Sequence, residues 1–203
     1  MRKIAILGGT FNPIHNGHLK LAENAWRQFA LDACWFMPAP TPPHKESHMI
    51  TSYADRLAMV RAALEPFPCF EASDFEAQRS GKSYTSDTLR ELAARHPEIS
   101  FSFVLGADSF YEIESWHCPE LILKYAGLIV ADRDYSKNHE SLSAHAEHLR
   151  ARYHARIDFI HAEEVDISSE HIRRLFASGR GGAERLIPSA VYDYIRAHHL
   201  YGQ

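Results

Sequence analysis

The chain has few cysteines and no Cys-x-x-Cys: Cys34, Cys69 and Cys118 stand far apart and are odd in number. That gives no disulfide framework and fits a reducing, cytoplasmic compartment. No apolar run approaches the length of a membrane span. Met1-Arg2-Lys3 runs straight into an apolar stretch far too short for a signal peptide. Positive charge is not in excess. The formal net charge is −4, so there is no global attraction to nucleic acid, and a small polyanion must be met by local positive groups. Repeats and low-complexity tracts are absent. So are two phosphate-binding motifs. Gly-x-Gly-x-x-Gly does not occur, and Gly81-Lys82-Ser83 resembles the tail of a Walker loop but has Glu76 where its first glycine should be.

What is present is ordinary soluble composition, 45% hydrophobic and 24% charged over 203 residues. That is enough for one core, and residues 1–203 read as a single domain with a C-terminal helical part from about 168. Lys3-Ile4-Ala5-Ile6-Leu7 reads as a buried strand of a parallel sheet. Leu19, Ala22, Trp26, Phe29 and Ala30 then follow helical spacing. Between them, Gly8-Gly9-Thr10-Phe11-Asn12-Pro13-Ile14-His15-Asn16-Gly17-His18 is a strand-to-helix turn at the carboxyl edge of a sheet, where open α/β folds place ligands. The glycines admit close approach of a ligand, and the helix start offers N–H groups and the positive end of its dipole. His15 and His18 share a helix face and suit phosphoryl oxygens. Two other readings stay open for them: surface residues in a chain with 14 histidines, or a zinc pair with no third ligand nearby.

The chain continues as alternating strands and helices. Ala33–Met37 is the second strand. Pro38, Pro40, Pro42 and Pro43 then impose a stiff loop ending in His44-Lys45, either a rigid connector or a basic arm over a phosphate site. Thr51-Ser52 cap a helix with Tyr53, Leu57, Val60 and Leu64 inward; Arg56 and Met59 can face the site, but a solvated arginine is the better reading of Arg56. Cys69–Ala72 is a short strand. Thr85 reads as the N-cap of a helix through Leu89 and Leu92, with Asp87 in its first turn. Ser100–Gly106 is the fourth strand, with Asp108 just beyond it, either a ribose ligand or a helix cap. Trp116 is a stacking platform for a flat ring or a core residue. Gly127–Ala131 and Ile157–Ile160 are later strands, with a helix between them that turns Leu142, Leu149 and Tyr153 inward. Ser168 or Ser169 caps a helix carrying Arg173 one turn in, and Pro188 opens the first turn of a closing helix through Val191, Ile195 and Leu200. The fold class is α/β: a Rossmann-like doubly wound, mostly parallel sheet with helices on both faces.

These motifs together carry a resemblance. Gly8-Gly9-Thr10-Phe11-x-Pro13-x-His15-x-Gly17-His18 resembles the signature of the HxGH nucleotidylyltransferases. Pro42-Pro43-His44-Lys45, Ser83-Tyr84-Thr85-x-Asp87-Thr88-Leu89, Gly106-Ala107-Asp108 with Trp116, and Ile167-Ser168-Ser169-x-x-Ile172-Arg173 are similar to the nicotinate mononucleotide adenylyltransferases of bacteria. The resemblance implies a single nucleotidylyltransferase domain that joins ATP to nicotinate mononucleotide with Mg²⁺, acting as a monomer or homodimer without nucleic acid or membrane. His15, His18 and Arg173 are the implied catalytic residues. Gly8, Gly9, Thr10, Phe11, Lys45, Gly106 and Ser168 join them around ATP. Thr85, Asp108, Trp116, His44 and Arg133 are implied for the pyridine nucleotide. Asn12, Asp134 and Glu170 depart from the family's usual residues. Rival readings are an adenylyltransferase for phosphopantetheine or the nicotinamide mononucleotide, and a nucleotide sensor without catalysis.

Overall fold

The first apolar run forms β1 (Arg2–Gly9), and its Ile4, Ala5, Ile6 and Leu7 are all buried. A strand covered on both faces is what the middle of a parallel sheet requires. Five more strands follow: β2 (Ala33–Pro38), β3 (Phe70–Ala72), β4 (Ile99–Gly106), β5 (Ala126–Asp132) and β6 (Ile157–His161). Their order in the sheet is β3-β2-β1-β4-β5-β6. The pairs β1 with β4, β4 with β5 and β5 with β6 are parallel, with Leu7 opposite Val104. Strand order therefore reverses between β1 and β4, and their carboxyl ends form the topological switch point. This is the doubly wound sheet expected from the sequence. The computed structural model describes residues 1–41, 50–79, 83–132, 142–161 and 167–202.

The helices are α1 (Asn16–Gln28), α2 (Tyr53–Leu64), α3 (Thr85–Arg95), α4 (Ala107–Tyr111), α5 (Pro119–Tyr125), α6 (Leu142–Tyr153), α7 (Ser169–Ser178) and α8 (Ser189–Ala197). The described chain divides into two compact units. One holds Met1–Gly8, Leu21–Cys34 and Tyr84–Glu164; the other holds Gly9–Lys20, Trp35–Ser83 and Val165–Gln203. No helix among the described residues is long and apolar enough to cross a membrane.

Several inward faces differ from the sequence reading. In α1 they are Leu19, Ala22 and Ala25; Ala30 lies past the helix end with φ 46° and is exposed. In α6 the buried face is His145, Ala146 and Leu149, while Leu142 and Tyr153 are only half-buried. A histidine goes inward because its Nε2 meets the Phe110 carbonyl at 3.2 Å and its ring lies edge-on to Phe110. Thr85 is not a cap: the N-cap of α3 is Tyr84, whose side chain makes no capping hydrogen bond. Pro188 is the N-cap of α8 rather than a residue of its first turn, and Leu200 lies beyond the helix. Ser52 and Ser168 cap as expected, accepting from the N–H groups of Asp55 and His171.

The largest departure is Arg56. It is 1% exposed, within the buried face of α2. Its Nε donates to the Thr51 carbonyl at 3.1 Å, Nη1 to Thr10 at 2.7 Å and Nη2 to Pro40 at 3.1 Å. Burial works against its charged form. The three carbonyls are what makes a buried guanidinium tolerable.

In the same unit, α2 packs on α8, where the Tyr194 hydroxyl donates to Asp55 at 3.0 Å. Beyond α8 the chain returns, and the Tyr201 hydroxyl donates to Asn12 Oδ1 at 2.9 Å. Burial, opposed in part by nearby Thr51, Arg173 and Arg56, pushes the Tyr201 phenol up to about 12. A pKa raised on folding means that the native state holds its proton longer than the unfolded chain, whose tyrosines titrate near ~10. Stability from this group is complete below ~10 and lost as pH climbs through about 12. Urea midpoints across that range should fall more steeply for the native chain than for Tyr201→Phe; parallel curves would show that the hydroxyl contributes nothing.

Candidate active site

Residues between β1 and α1 are hydrogen-bonded to Arg56, Ser169, Arg173 and Tyr201 of the second unit. Phe11 has φ 48°, a left-handed conformation that a bulky residue seldom adopts. Its ring is 2% exposed and lies against the backbone of Gly9, where an added Cβ would meet it at 3.2 Å. The other side of that ring meets His18 edge-on, with centroids 5.0 Å apart. The His15 and His18 rings are stacked at 3.6 Å. Gly17 lies under the His15 ring: a Cβ there would sit 3.0 Å from Nδ1. The glycine of His-x-Gly-His thus has a steric reason, because a Cβ at position 17 is tight against the His15 ring, which would have to give by a few tenths of an ångström.

Hydrogen bonding fixes the tautomer of His18. The backbone N–H of His15 donates to His18 Nδ1 at 3.2 Å. A nitrogen that accepts leaves the neutral ring's proton on Nε2, so His18 presents a donor at its far side. His15 itself is buried and its carbonyl accepts from the N–H of His18 at 2.9 Å. The N–H of Asn16 is spent on the Leu186 carbonyl at 2.9 Å, which anchors the start of α1.

The carbonyls of this loop are bound as well. Ser169 Oγ donates to Pro13 at 2.8 Å and Arg173 Nη1 to Asn12 at 2.8 Å. Ser169 and Arg173 are one helical turn apart on α7 and so reach the loop from one face. The side chain of Asn12, 3% exposed, accepts at Oδ1 from the Thr51 N–H at 3.3 Å and from Tyr201. The Asn12–Pro13 peptide is cis.

The first unit carries a separate group. Gly8 ends the buried part of β1 against the Phe103 ring, 3.1 Å from where a Cβ would be. Gly106 ends β4, and a Cβ on it would meet nothing within 4 Å. Asp108 is exposed in the first turn of α4. Trp116 is half-buried and stands edge-on to Phe103, centroids 6.1 Å apart. The Tyr84 and His117 rings lie 4.2 Å apart, which puts the start of α3 beside the turn holding Trp116. Because the N-cap Tyr84 makes no side-chain cap hydrogen bond, the first N–H groups of α3 are suited to an anionic ligand.

The Cytidylyltransferase-like family model matches residues 6–175. A relative from Lachnoclostridium phytofermentans, described as a probable nicotinate-nucleotide adenylyltransferase, is 36% identical over 201 residues, covering 99% of this chain and all of the relative. A second so described, from Synechococcus sp. (strain JA-2-3B'a(2-13)), is 40% identical over 203 residues, covering 100% of this chain and 98% of the relative. The chain belongs to the nicotinate-nucleotide adenylyltransferase family. The fold is also that of solved structures of the Plasmodium falciparum nicotinic acid mononucleotide adenylyltransferase. The complex with NaAD has a TM-score of 0.82 at 21% identity, covering 99% of this chain and 98% of that one; the complex with APC has 0.81 at 20%, with the same coverage.

Among the nicotinate-nucleotide adenylyltransferase residues read from the sequence, the structure gathers Gly9, Thr10, Phe11, His15, His18 and Arg173 at one loop. Gly106 and Asp108 stand at the β4 end, and Thr85 and Trp116 on adjoining turns. Ser168 caps α7, its hydroxyl oxygen accepting from the His171 N–H. His44, Lys45 and Arg133 lie outside the described residues, as does Asp134. Glu170 is exposed in the first turn of α7, where a carboxylate favours the helix dipole. Sequence reasoning missed Ser169 as a loop anchor and Tyr201, and of two readings for Arg56 it preferred the solvated one. For Arg56 a signal existed: it falls on the stripe of Tyr53, Leu57 and Val60, at helical spacing.

Gly17→Ala should push the His15 ring aside by a few tenths of an ångström and lower kcat by about 10-fold, less than the ~100-fold of a 1 Å misplacement, with little change in melting temperature. A fully active, folded variant would show that the ring's position over Gly17 is of no consequence.

Proposed function

We propose that this chain transfers the adenylyl group of ATP to nicotinate mononucleotide, giving nicotinate adenine dinucleotide and pyrophosphate, a step of NAD biosynthesis in the cytoplasm. The observation that carries this reading is the stacked His15–His18 pair at the start of α1, with His18 Nδ1 accepting from the His15 N–H so that the neutral ring's proton sits on Nε2. Two imidazoles at a helix start, on a loop whose carbonyls are bound elsewhere, suit a polyphosphate.

The nucleophile is the substrate's own 5′-phosphate. Its second pKa is about 6, so it is largely ionised at neutral pH and needs no general base. One of its oxygens attacks the α-phosphorus in line; the bond from that phosphorus to the bridging oxygen breaks, and pyrophosphate leaves with the electron pair. The protein's part is positioning and charge neutralisation. His15 and His18 hold the ATP phosphates, with Arg173 and Lys45 adding positive charge. Arg173 uses one of its five donors on Asn12 and retains a fork for an oxyanion. Mg²⁺ arrives as MgATP, held mainly by phosphate oxygens. Gly8, Gly9, Thr10, Phe11, Gly106 and Ser168 complete the ATP contacts. For the pyridine nucleotide, Asp108 accepts from ribose hydroxyls, Trp116 stacks on the ring, and the start of α3 at Thr85 receives the carboxylate. His44 and Arg133 assist its phosphate. A helix start whose N-cap side chain makes no capping bond favours an acid over the neutral amide, which is a physical route to nicotinate selectivity.

The deciding assay is pyrophosphate release with MgATP, offering nicotinate mononucleotide, its amide and phosphopantetheine in parallel. Release with the acid alone is expected; silence with all three, beside measurable ATP binding, would favour a sensor. His18→Ala should lower kcat by about 100-fold or more while circular dichroism stays native, since loss of one oxyanion donor costs that much. Trp116→Ala should raise KM for the pyridine nucleotide about 10-fold and leave KM for ATP unchanged, given the strength of ring stacking. Unchanged affinity would make Trp116 a packing residue.

A further inference from the structure

Arg56 heads the fully buried large side chains of this protein, yet its hydrogen bonds go to the neutral carbonyls of Thr51, Thr10 and Pro40. Among the described residues it is in no ion pair with a carboxylate. A buried cation so placed is costly unless something gains from it. The shortest of the three bonds, 2.7 Å, is to Thr10, inside the loop between β1 and α1.

The Thr10 carbonyl and the Phe11 N–H belong to one peptide plane. In a trans peptide these two groups point in opposite directions. The cis bond of this loop is the next but one, Asn12–Pro13. Holding the Thr10 oxygen on the guanidinium therefore turns the Phe11 N–H away from Arg56. The same bond helps to maintain the left-handed φ of 48° at Phe11, a conformation that persists only where surrounding groups over-determine it. The Nη2 bond to Pro40 ties the segment after β2 to the same group.

We propose that Arg56 is a positioning residue for the triphosphate: it turns the Phe11 N–H toward a phosphate oxygen and sets a positive charge beneath the loop. This rests on the reading of that loop as the ATP phosphate site. Lysine keeps the charge but not the planar fork that reaches three carbonyls; methionine keeps neither.

Steady-state kinetics of Arg56→Lys and Arg56→Met separate the two contributions. With nicotinate mononucleotide saturating, kcat/KM for MgATP should fall about 10-fold in the lysine variant and about 100-fold in the methionine variant. KM for nicotinate mononucleotide should stay within about twofold. Wild-type values for MgATP in either folded variant would overturn the proposal. So would losses for both substrates that merely track the fall in melting temperature. A measurement on the unmutated protein covers variants that do not fold. Adding inorganic triphosphate to ¹⁵N-labelled protein should shift the Phe11 amide resonance, and a Phe11 resonance that stays put refutes the assigned orientation. Failure of the underlying reading is distinct, because then the native protein releases no pyrophosphate.

Discussion

The loop between β1 and α1 has three of its carbonyl oxygens held by side chains from distant helices, and this constraint, which the phosphate site proposed above requires, organises much of the second unit. Between β1 and α1 the oxygens of Thr10, Asn12 and Pro13 accept from Arg56, Arg173 and Ser169. Each acceptor so occupied is one that does not repel phosphate, and each leaves its peptide in a single orientation. The donors come from α2 and α7, segments far apart in sequence. The histidines are held by the same economy of space: Gly17 yields room for the His15 ring, and the His15 N–H fixes the His18 tautomer. Preorganised donors of this kind cost no reorganisation when charge develops, which is why positioning alone can carry an adenylyl transfer.

The sheet was legible because buried parallel strands are written as continuous apolar runs, and their order follows from alternation with helices. The turn at Gly8-Gly9 was legible from the same pattern, since the switch point must fall at a strand's carboxyl end. The helix faces were less so. His145 goes inward and Leu142 only partly, because a carbonyl on another helix satisfies the imidazole, and no periodicity reports a partner. Arg56 was misread for a similar reason. Its spacing placed it on the apolar stripe, but residue type argued for solvent, and only tertiary structure supplies the three carbonyls that reverse the argument. Thr85 looked like a cap by type; the backbone turns one residue earlier, at Tyr84.

Departures from the family pattern acquire physical meaning in this setting. Glu170 in the first turn of α7 is accounted for by the helix dipole and by its exposure. At position 12 an amide does what the structure asks of the side chain there, accepting at Oδ1 from the Thr51 N–H and the Tyr201 hydroxyl. A carboxylate could accept the same bonds, so the exchange alters charge near the loop without removing its anchors.

Three anchors of this loop, Ser169, Arg173 and Tyr201, lie 156, 161 and 189 residues away along the chain. Local contacts cannot supply them, and contacts of such sequence separation form late. On a ribosome adding about 5–20 residues per second, the Asn12 segment emerges roughly 10–40 s before the tyrosine that closes on it. During that interval the loop after β1 is held at first only by the nearer donors of Arg56 and Thr51, and its full set of anchors is complete only once Tyr201 has emerged.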